Sequence, residues 1–457
     1  QYNIPINTKC CNLLCMKALL LNFFLLVMLT GNAQKQGNIW YFGENQGLDF
    51  SSGSPVSIAG GQMVGNPQQQ GDYLYSEGGA VISDSSGSLL FYTNGEKVWN
   101  RNHQIMPNGS NLMGFYSSTH PAFIVPQPNS DSLFYIFTTD GLERYLEDGL
   151  RYSKVDMCLD NGNGDVILAE KNILLLDTVS EKLCAIPHSN GTDVWLIAHK
   201  FFSDAFYSYQ ITPTGITNIV ITNIGSVHIG SLTYQNGCGG AIGQMKASPD
   251  GNRIGLVFSN VTPAVAELFN FNPSNGTLSN AISLNTENNV YGIEFSPDNS
   301  KLYITNTSGI HQFDLNAGGG TQSSINASKT NITSQFCFPS GMQLGPNGKI
   351  YVVRCFGNLG VINTPNNVGI SCNFVDYSVP GTSNSKGSLP SFISGYNYSN
   401  TISTCDSTNS VVELSNSVEK ELLKVVDLMG RETEDKPNTL LIYIYSDGTT
   451  EKVFRAE

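Results

Sequence analysis

The chain has 457 residues, of which 13% are charged and 46 are glycine, and its formal net charge at pH 7 is −13. This length allows two or more domains, or one large repeat domain with additions. The composition is rich in strand and turn formers, which favours an all-β protein over an α/β enzyme. The negative charge argues against a nucleic-acid binder and against docking on anionic lipid.

The N-terminal residues have the layout of a secretory signal peptide. Residues 1–15 lack a methionine and are interpreted as upstream read-through. Residues 16–33 then show a basic start, an apolar run over 18–29 and a small residue, Ala33, at the end. The run of roughly 12 residues is shorter than the about 20 that span a bilayer, and a single membrane anchor is the alternative. We expect cleavage to leave Gln34 as the mature start.

A turn followed by an apolar strand recurs along the middle of the chain. Three clear copies contain Pro249, Pro297 and Pro346, so they are spaced by 48 and 49 residues. Proline presets φ at the second position of a tight turn, and the Asp, Asn or Gly that follows suits the rest of it. Weaker copies of the same pattern begin at Ser83, Pro126 and His188.

Most copies are followed by a second strand and turn, as at residues 206–209, 268–271 and 312–315. Two hairpins per copy give four strands per unit, and four short antiparallel strands every ~40–50 residues are typical of a propeller blade. The sequence therefore predicts an all-β fold with a β-propeller over residues 34–400. Seven four-stranded blades fit the spacing best, with six or eight as alternatives.

A propeller must close into a ring, because each sheet buries its faces only against its neighbours. We predict that one blade is composite, with the N-terminal strand Ile39–Phe42 and a late strand over residues 391–394 in one sheet. Such a blade would join the two ends of the repeat region and leave no exposed edge at the junction.

Several strings resemble known propellers. The turns SPDG (248–251) and SPDN (296–299) resemble those of TolB-like and WD-repeat-like propellers. Longer strings resemble an exported propeller family of the Bacteroidetes, and the resemblance implies fold and lineage without transferring any functional residue. These strings are NIWYFG (38–43), AVISD (80–84), LLFYTNG (89–95), VWNR (98–101) and NILLL (172–176).

The composition changes near the C-terminus. Residues 401–412 are rich in Ser, Thr and Asn and are predicted to be a linker. The last segment, 413–457, contains two apolar stretches, around 422–429 and over 440–445, and a hairpin turn at 446–448. Such a short segment buries little core, which favours a recognition module over a catalytic domain. A strand pair belonging to the propeller is the alternative.

This last segment resembles a known secretion signal. The strings KVVDLMGRE (424–432) and NTLLIYIYSDGT (438–449) resemble the type A sorting domain that the type IX secretion system recognises. The upstream part of that domain is degenerate here. The resemblance implies export through the inner membrane, followed by passage across the outer membrane directed by the tail.

Ten cysteines are present, and seven of them follow the predicted signal peptide. An exported chain can form disulfides, but the wide spacing leaves the pairing open. No CxxC pair or Cys/His cluster occurs, so no zinc site is predicted. The seven are Cys158, Cys184, Cys238, Cys337, Cys355, Cys372 and Cys405.

The sequence contains no catalytic motif, and no catalytic, cofactor-binding or metal-binding residue and no cofactor is predicted. The glycine-rich run 237–241 is predicted to be a loop, since no helix follows it as a phosphate site requires. Residues 160–165 (DNGNGD) carry oxygen ligands but miss the spacing of a calcium loop, so a turn is predicted and calcium is the alternative. Each of six histidines is predicted to be a hydrogen-bonded structural residue: His103, His120, His188, His199, His228 and His311.

These observations favour a secreted or cell-surface binding or scaffold protein without enzymatic activity. Its expected partners are the type IX secretion machinery, through the tail, and an extracellular ligand, either a glycan or a protein. No nucleic acid and no stable membrane span is expected. The alternatives are a polysaccharide hydrolase or lyase on a propeller scaffold and a structural adhesin or matrix component. A cluster of carboxylates with a His or Arg at the channel mouth would favour the hydrolase.

Overall fold

The computed structural model describes residues 35–43, 45–63, 77–228, 240–259, 264–287, 289–334, 340–354, 358–383, 387–396, 422–427, 430–434, 436–446 and 450–454. The predicted signal peptide and linker lie outside these ranges. The chain divides into two units, Gln1–Thr404 and Cys405–Glu457. Each unit is described by itself.

The described part of the first unit forms seven antiparallel sheets. The first sheet has three strands, the third has five, and the others have four. The strands are β1 Ile39–Phe42, β2 Gln46–Asp49 and β3 Val56–Ala59; β4 Ala80–Ser83, β5 Leu89–Thr93, β6 Lys97–Asn100 and β7 Ile105–Ser110; β8 Ala122–Pro126, β9 Leu133–Thr139, β10 Leu150–Asp156, β11 Asp165–Val166 and β12 Ile173–Leu176; β13 Val179–Pro187, β14 Val194–Lys200, β15 Ala205–Thr212 and β16 Gly215–Asn223; β17 Met245–Ala247, β18 Arg253–Phe258, β19 Val265–Asn272 and β20 Thr277–Leu284; β21 Val290–Phe295, β22 Lys301–Asn306, β23 Gly309–Asp314 and β24 Thr330–Thr333; and β25 Met342–Leu344, β26 Ile350–Val352, β27 Leu359–Ile362 and β28 Phe374–Val379.

Helical structure is sparse in the described part of the chain. One short α-helix, α1 (Gln322–Ala327), lies between β23 and β24. None of the described helices is long and apolar enough to cross a membrane. The 3₁₀ segments are Leu142–Arg144, Asp160–Gly162, Leu168–Glu170, Ala317–Gly319 and Gly369–Cys372.

The sheets are arranged as the blades of a β-propeller, which confirms the predicted fold. Within each four-stranded sheet the strands are paired in chain order. From the second sheet to the seventh, the first strand of each sheet contacts the first strand of the next, so these six strands surround a common axis. We call them the innermost strands; they are β4, β8, β13, β17, β21 and β25. The seven described sheets equal the number of blades that fits the repeat best, and the blade count of the complete ring stays a prediction.

The repeated turns connect the innermost strand of a sheet to its second strand. In the turn after β21, the Ser296 hydroxyl donates to the Asp298 carboxylate (2.7 Å), which also accepts the backbone N–H of Ser300 (3.0 Å). The turn needs a left-handed residue, which Asn299 supplies with φ 63° and Gly251 supplies in the preceding copy with φ 71°. The local turn chemistry predicted from the sequence is therefore confirmed.

The predicted composite blade is wrong. Strand β1 pairs with β2 in a sheet of its own, and among the described residues no ladder joins it to residues 391–394. Ser391 instead makes an isolated parallel bridge with Ala80 of β4. The pattern of apolar residues indicated β1 correctly, whereas residues 391–394 contribute only this single bridge. Such a pattern does not specify which strand edge a segment pairs with.

The ring closes through residues 387–391, which run between the last and second sheets. The backbone N–H of Gly341 donates to the Gly387 carbonyl (2.8 Å), and that of Ser391 donates to the Gly79 carbonyl (3.0 Å). The segment therefore contacts β25 on one side and β4 on the other, where the first sheet has no innermost strand of its own. Hydrogen bonds on both sides satisfy its backbone at the centre of the ring.

Aromatic side chains pack together where the first and last sheets meet. The indole ring of Trp40, in β1, lies 4.8 Å from Phe50, 5.5 Å from Tyr351 and 5.8 Å from Phe392, measured between ring centroids. Its Nε1 donates to the Gly37 carbonyl (2.8 Å). Because Tyr351 belongs to the last sheet, Trp40 joins the beginning and end of the repeat region by packing. We call these four rings the closure cluster.

The second unit contains one described sheet of three antiparallel strands. These are β29 (Leu422–Val426), β30 (Leu440–Tyr445) and β31 (Thr450–Phe454), paired in that order. Leu441 and Tyr443 are its buried residues on β30. The strands predicted from the two apolar stretches are therefore confirmed. The 447–448 part of the predicted hairpin turn lies outside the described residues.

Candidate functional site

Polar side chains converge where the innermost strands begin. The Thr119 hydroxyl, just before β8, accepts the backbone N–H of Gly243 just before β17 (3.1 Å). The backbone N–H of Gln244 in turn donates to the carbonyl of Tyr291 at the start of β21 (2.8 Å). Since these starts contact one another around the axis, they lie at one face of the propeller. The turns that follow the innermost strands lie at the other face.

Five carboxyl groups gather at the first face, and we call this region the acidic end. One lies on an innermost strand, one shortly before such a strand, and three on loops beside them. Burial raises the pKa of each of them, and nearby charges modify that increase. The five are Glu77, Glu96, Asp140, Glu143 and Glu181.

Glu181 is one of the two carboxylates of the acidic end, with Asp140, that are almost fully buried. It is 1% exposed and lies in β13. Its Oε2 accepts the backbone N–H of Thr119 (2.8 Å) and the Thr119 hydroxyl (2.9 Å), and its Oε1 accepts the backbone N–H of Leu142 (2.9 Å). Burial, together with the negative charge of Glu143, outweighs these bonds and raises the pKa of Glu181 to about 7.

Glu77 precedes β4 and lies nearer to solvent. The phenol of Tyr291 donates to its Oε2 (2.9 Å). Burial raises the pKa of Glu77 to about 8, and the negative charges of Glu181 and Glu143 add to that increase. At neutral pH this carboxyl is therefore largely protonated, so it can donate as well as accept a hydrogen bond.

The loop between β9 and β10 supplies two further carboxyl groups. Asp140 is buried and accepts the backbone N–H groups of Gly141 (2.9 Å) and Asp148 (3.1 Å). Glu143 is exposed and accepts the Ser117 hydroxyl (2.9 Å). Loss of solvation raises the pKa of both groups, including that of Glu143, whose carboxyl is partly surrounded by protein although the residue reaches solvent. The side chain of Arg144 lies 3.6 Å from Asp140 and also pairs with Asp148, so its charge is already shared between two carboxylates.

A buried lysine lies deeper along the axis. The Nζ of Lys182 donates to the carbonyls of Gly240 (3.1 Å), Ala241 (2.6 Å) and Ile242 (2.9 Å). Burial lowers its pKa to about 7. Gly240 and Ala241 are the described part of the glycine-rich run, and this lysine fixes them as a loop.

The six histidines behave in two ways. His103, His120, His188 and His311 make side-chain hydrogen bonds, in line with the prediction. His199 and His228 differ: both are 0% exposed, their rings stack with centroids 3.2 Å apart, and their ring nitrogens form no hydrogen bond with any described residue. Burial lowers the pKa of both well below the usual value. This pair is therefore a packed, neutral element rather than a hydrogen-bonded one.

The acidic turn at residues 160–165 lies away from the acidic end, between β10 and β11. Asp160–Gly162 forms a 3₁₀ turn. The Asp165 carboxylate accepts the backbone N–H of Asn108 (2.8 Å) and its side-chain amide (2.7 Å), which ties β11 to β7 of the neighbouring sheet. Within the described ranges, no three His, Cys, Asp or Glu side chains are grouped to hold a metal ion.

Three of the seven predicted mature cysteines are described. Cys158 is disulfide-bonded. Cys184 and Cys372 are free and buried, and burial raises the pKa of both thiols.

The acidic end was not predicted from the sequence. Its residues come from loops and strands that are far apart in the chain, and none belongs to a recognisable motif. A signal was nevertheless present. The chain is poor in charged residues, yet Glu77 precedes one innermost strand and Glu181 lies within another. An alignment of the repeats on those strands would have placed the two carboxylates at equivalent positions along the propeller axis.

No protein-family model and no curated protein matches this chain. Several solved structures are similar at low identity. A functionally unknown protein from Desulfotomaculum acetoxidans is 17% identical, with 78% of this chain and 99% of that chain covered and a TM-score of 0.44. Hydrazine synthase of Kuenenia stuttgartiensis is 13% identical, with 73% and 94% covered and a TM-score of 0.45. The periplasmic gluconolactonase of Pseudomonas aeruginosa is 11% identical, with 79% and 92% covered and a TM-score of 0.37. At these values the similarity carries no argument about activity.

Proposed function

We propose that this chain is an exported, non-enzymatic β-propeller that binds a cationic segment of a partner protein at its acidic end. The observation that carries the proposal is the surplus of carboxyl groups there, all with raised pKa values. Burial is the main cause of the increase at each group, so the ionised form of each carboxyl lacks the positive charge that would offset its loss of solvation. A lysine or arginine side chain would supply that charge, and such complementarity gives specificity.

Calorimetry with a capped tri-arginine peptide tests the proposal. The affinity should increase as the pH rises from about 6 to about 9, because Glu77 and Glu181 become charged over that range. It should also decrease with added salt, since the attraction is electrostatic. Glu143→Gln should weaken binding by about tenfold, a change of about 1.4 kcal/mol.

The matched control is Asp160→Asn, which removes an exposed carboxylate from the turn between β10 and β11. Its backbone has a φ of 48°, which asparagine tolerates well. This variant should bind the peptide as the unchanged protein does. Equal binding by the unchanged protein and Glu143→Gln, or binding that weakens towards high pH, would contradict the proposal.

A hydrolase acting on polysaccharides is the second candidate, and one observation favours it. Glu77, with a pKa of about 8, is protonated at neutral pH and lies near a second carboxyl group, that of Glu143. Glycoside hydrolysis uses two carboxyl groups, one of which is protonated. Release of reducing sugar from a plant or bacterial polysaccharide, lost in Glu77→Gln, would establish this candidate in place of binding alone.

We also propose that the second unit directs export by the type IX secretion system. Support comes from the resemblance of its strings to a sorting domain and from its three-stranded sheet. The disulfide at Cys158 supports an oxidising compartment. Removal of residues 413–457 should leave a folded propeller that accumulates in the periplasm, as measured by fractionation and protease resistance. Normal appearance of the shortened chain at the cell surface or in the medium would contradict this route.

A further inference from the structure

A cavity of about 300 Å³ opens at the face opposite the acidic end. Pro249 and Pro346, which line it, belong to the turns that follow β17 and β25. The cavity therefore lies at the other face and shares no residue with the acidic end. The closure cluster contributes Trp40 and Phe392 to one wall.

The inner wall of the cavity is polar and rigid. Glu294 is 3% exposed and Gln343 is 6% exposed, and both line it. The Glu294 carboxylate accepts the backbone N–H groups of Leu344 (2.9 Å) and Phe295 (3.0 Å). These bonds hold the carboxylate in one orientation. A ligand that donates to its remaining lone pairs therefore binds without a further loss of side-chain entropy at Glu294.

A buried lysine balances the charge of this wall. Lys246 Nζ lies 3.6 Å from Glu294 Oε2 and donates to the Gln343 side-chain oxygen. The orientation of the Gln343 amide is thereby fixed, and its nitrogen donates one hydrogen to the Leu344 carbonyl (3.0 Å). An amide nitrogen carries two hydrogens, so one more is left for a ligand. The wall thus offers acceptors and a donor with no net charge.

The side chains of the remaining walls are apolar apart from Ser394. The ring of Phe392, which is partly exposed, lies beside the buried ring of Trp40. Pro249, Pro346 and Leu344 add aliphatic surface. A site with a few fixed polar groups at one end and flat apolar walls is typical of small-molecule pockets, and about 300 Å³ is at the lower limit of their size.

We propose that this cavity binds one neutral hexopyranose unit, either a free sugar or the end of a glycan. A pyranose ring presents hydroxyl groups at its edge and C–H groups on its faces, which match the polar inner wall and the aromatic and proline walls. The volume admits one ring rather than an extended chain. A charged ligand is disfavoured because a cation would compete with Lys246 for Glu294, whereas an anion would face a carboxylate that already has its partner. The proposal is independent of the ligand at the acidic end.

Saturation-transfer NMR with the full chain tests the proposal. The probes are the methyl pyranosides of glucose, galactose and mannose, with methyl glucuronide as the charged comparator. At least one neutral pyranoside should bind with a Kd of about 1 mM or lower, and its binding should change the emission of Trp40. The glucuronide should bind at least about tenfold more weakly.

Two variants connect the binding to the cavity. Gln343→Glu removes the amide donor and leaves Lys246 with a partner, and Phe392→Ala removes the aromatic wall. Each should weaken binding by about tenfold or more. Because Phe392 also belongs to the closure cluster, the stability of the Phe392→Ala variant is measured as well. If Phe392→Ala does not fold, the result with Gln343→Glu alone tests the proposal. Asp160→Asn should bind as the unchanged protein does. Failure of all three neutral pyranosides to bind, equal binding of the glucuronide, or unchanged binding in Gln343→Glu would overturn the proposal.

Discussion

Replacing Trp40 with alanine is expected to lower the free energy of unfolding by about 3–5 kcal/mol. The indole is 0% exposed and contacts three aromatic rings. Phe50 follows β2, Tyr351 lies in the last sheet, and Phe392 follows the closing segment, residues 387–391. Its loss removes buried apolar area and leaves a void that three rings from different parts of the chain border. Guanidinium denaturation followed by circular dichroism measures the change.

A second measurement distinguishes an effect on ring closure from the general destabilisation that follows the loss of a buried side chain. Trp195 is equally buried but lies in the fourth sheet, far along the chain from the junction. In Trp40→Ala, hydrogen exchange should accelerate in β1 and in β26, whereas in Trp195→Ala those strands should keep their protection under native conditions. Identical exchange patterns in the two variants would show that Trp40 has no special part in closing the ring.

Replacing Glu77 with glutamine is expected to remove a pH dependence from the stability of the propeller. Burial and neighbouring carboxylates raise the folded-state pKa of Glu77 to about 8 from an ordinary value of 4.5. A raised folded pKa contributes stability that is fully present below about 4.5 and is lost as the pH rises through about 8. The amide oxygen of the introduced glutamine can still accept the Tyr291 phenol, so the variant keeps that contact at every pH.

The difference in Tm between the variant and the unchanged protein isolates this group. Because 1 kcal/mol shifts Tm by roughly 2–4 °C in domains of roughly 150–250 residues, we expect Glu77→Gln to melt about 2 °C or more above the unchanged protein at high pH. At pH values near 4.5 the two should melt together. Buried groups whose charges do not act on Glu77 cancel in this comparison, among them Lys182 and the His199–His228 pair. A constant difference across the pH range would mean that Glu77 is not titrating as described.

The parts of the fold that depend on local chemistry were predictable. A Ser-Pro-Asp turn carries its own hydrogen bonds, as Ser296 and Asp298 show. Two such turns and a related Gly-Pro-Asn turn at regular spacing were therefore enough to indicate blades. The strands of the tail, such as Leu440–Tyr445, were equally clear from their apolar residues.

The parts that depend on distant contacts were not predictable. The closing segment at residues 387–391 bonds to Gly341 and Gly79, and nothing in its own pattern indicates those partners. The acidic end is similar, since the Tyr291 phenol reaches Glu77 from a position 214 residues away in the chain. The stacked imidazoles of His199 and His228, which form no ring hydrogen bond within the described part of the chain, depart from the usual rule for buried polar groups, and no sequence pattern indicated them.

The position of the closing segment also determines when the propeller can become stable. The stretch that bridges the second and seventh sheets belongs to the last described piece of the first unit to be synthesised. Until the ribosome has made it, the nascent chain is an open arc with two uncovered sheet faces, one at each end. Such long-range pairing makes folding slow and late. Under the export route proposed above, in which the chain crosses the inner membrane before it folds, this delay would be an advantage, because the closing segment is added only when nearly the whole first unit has emerged.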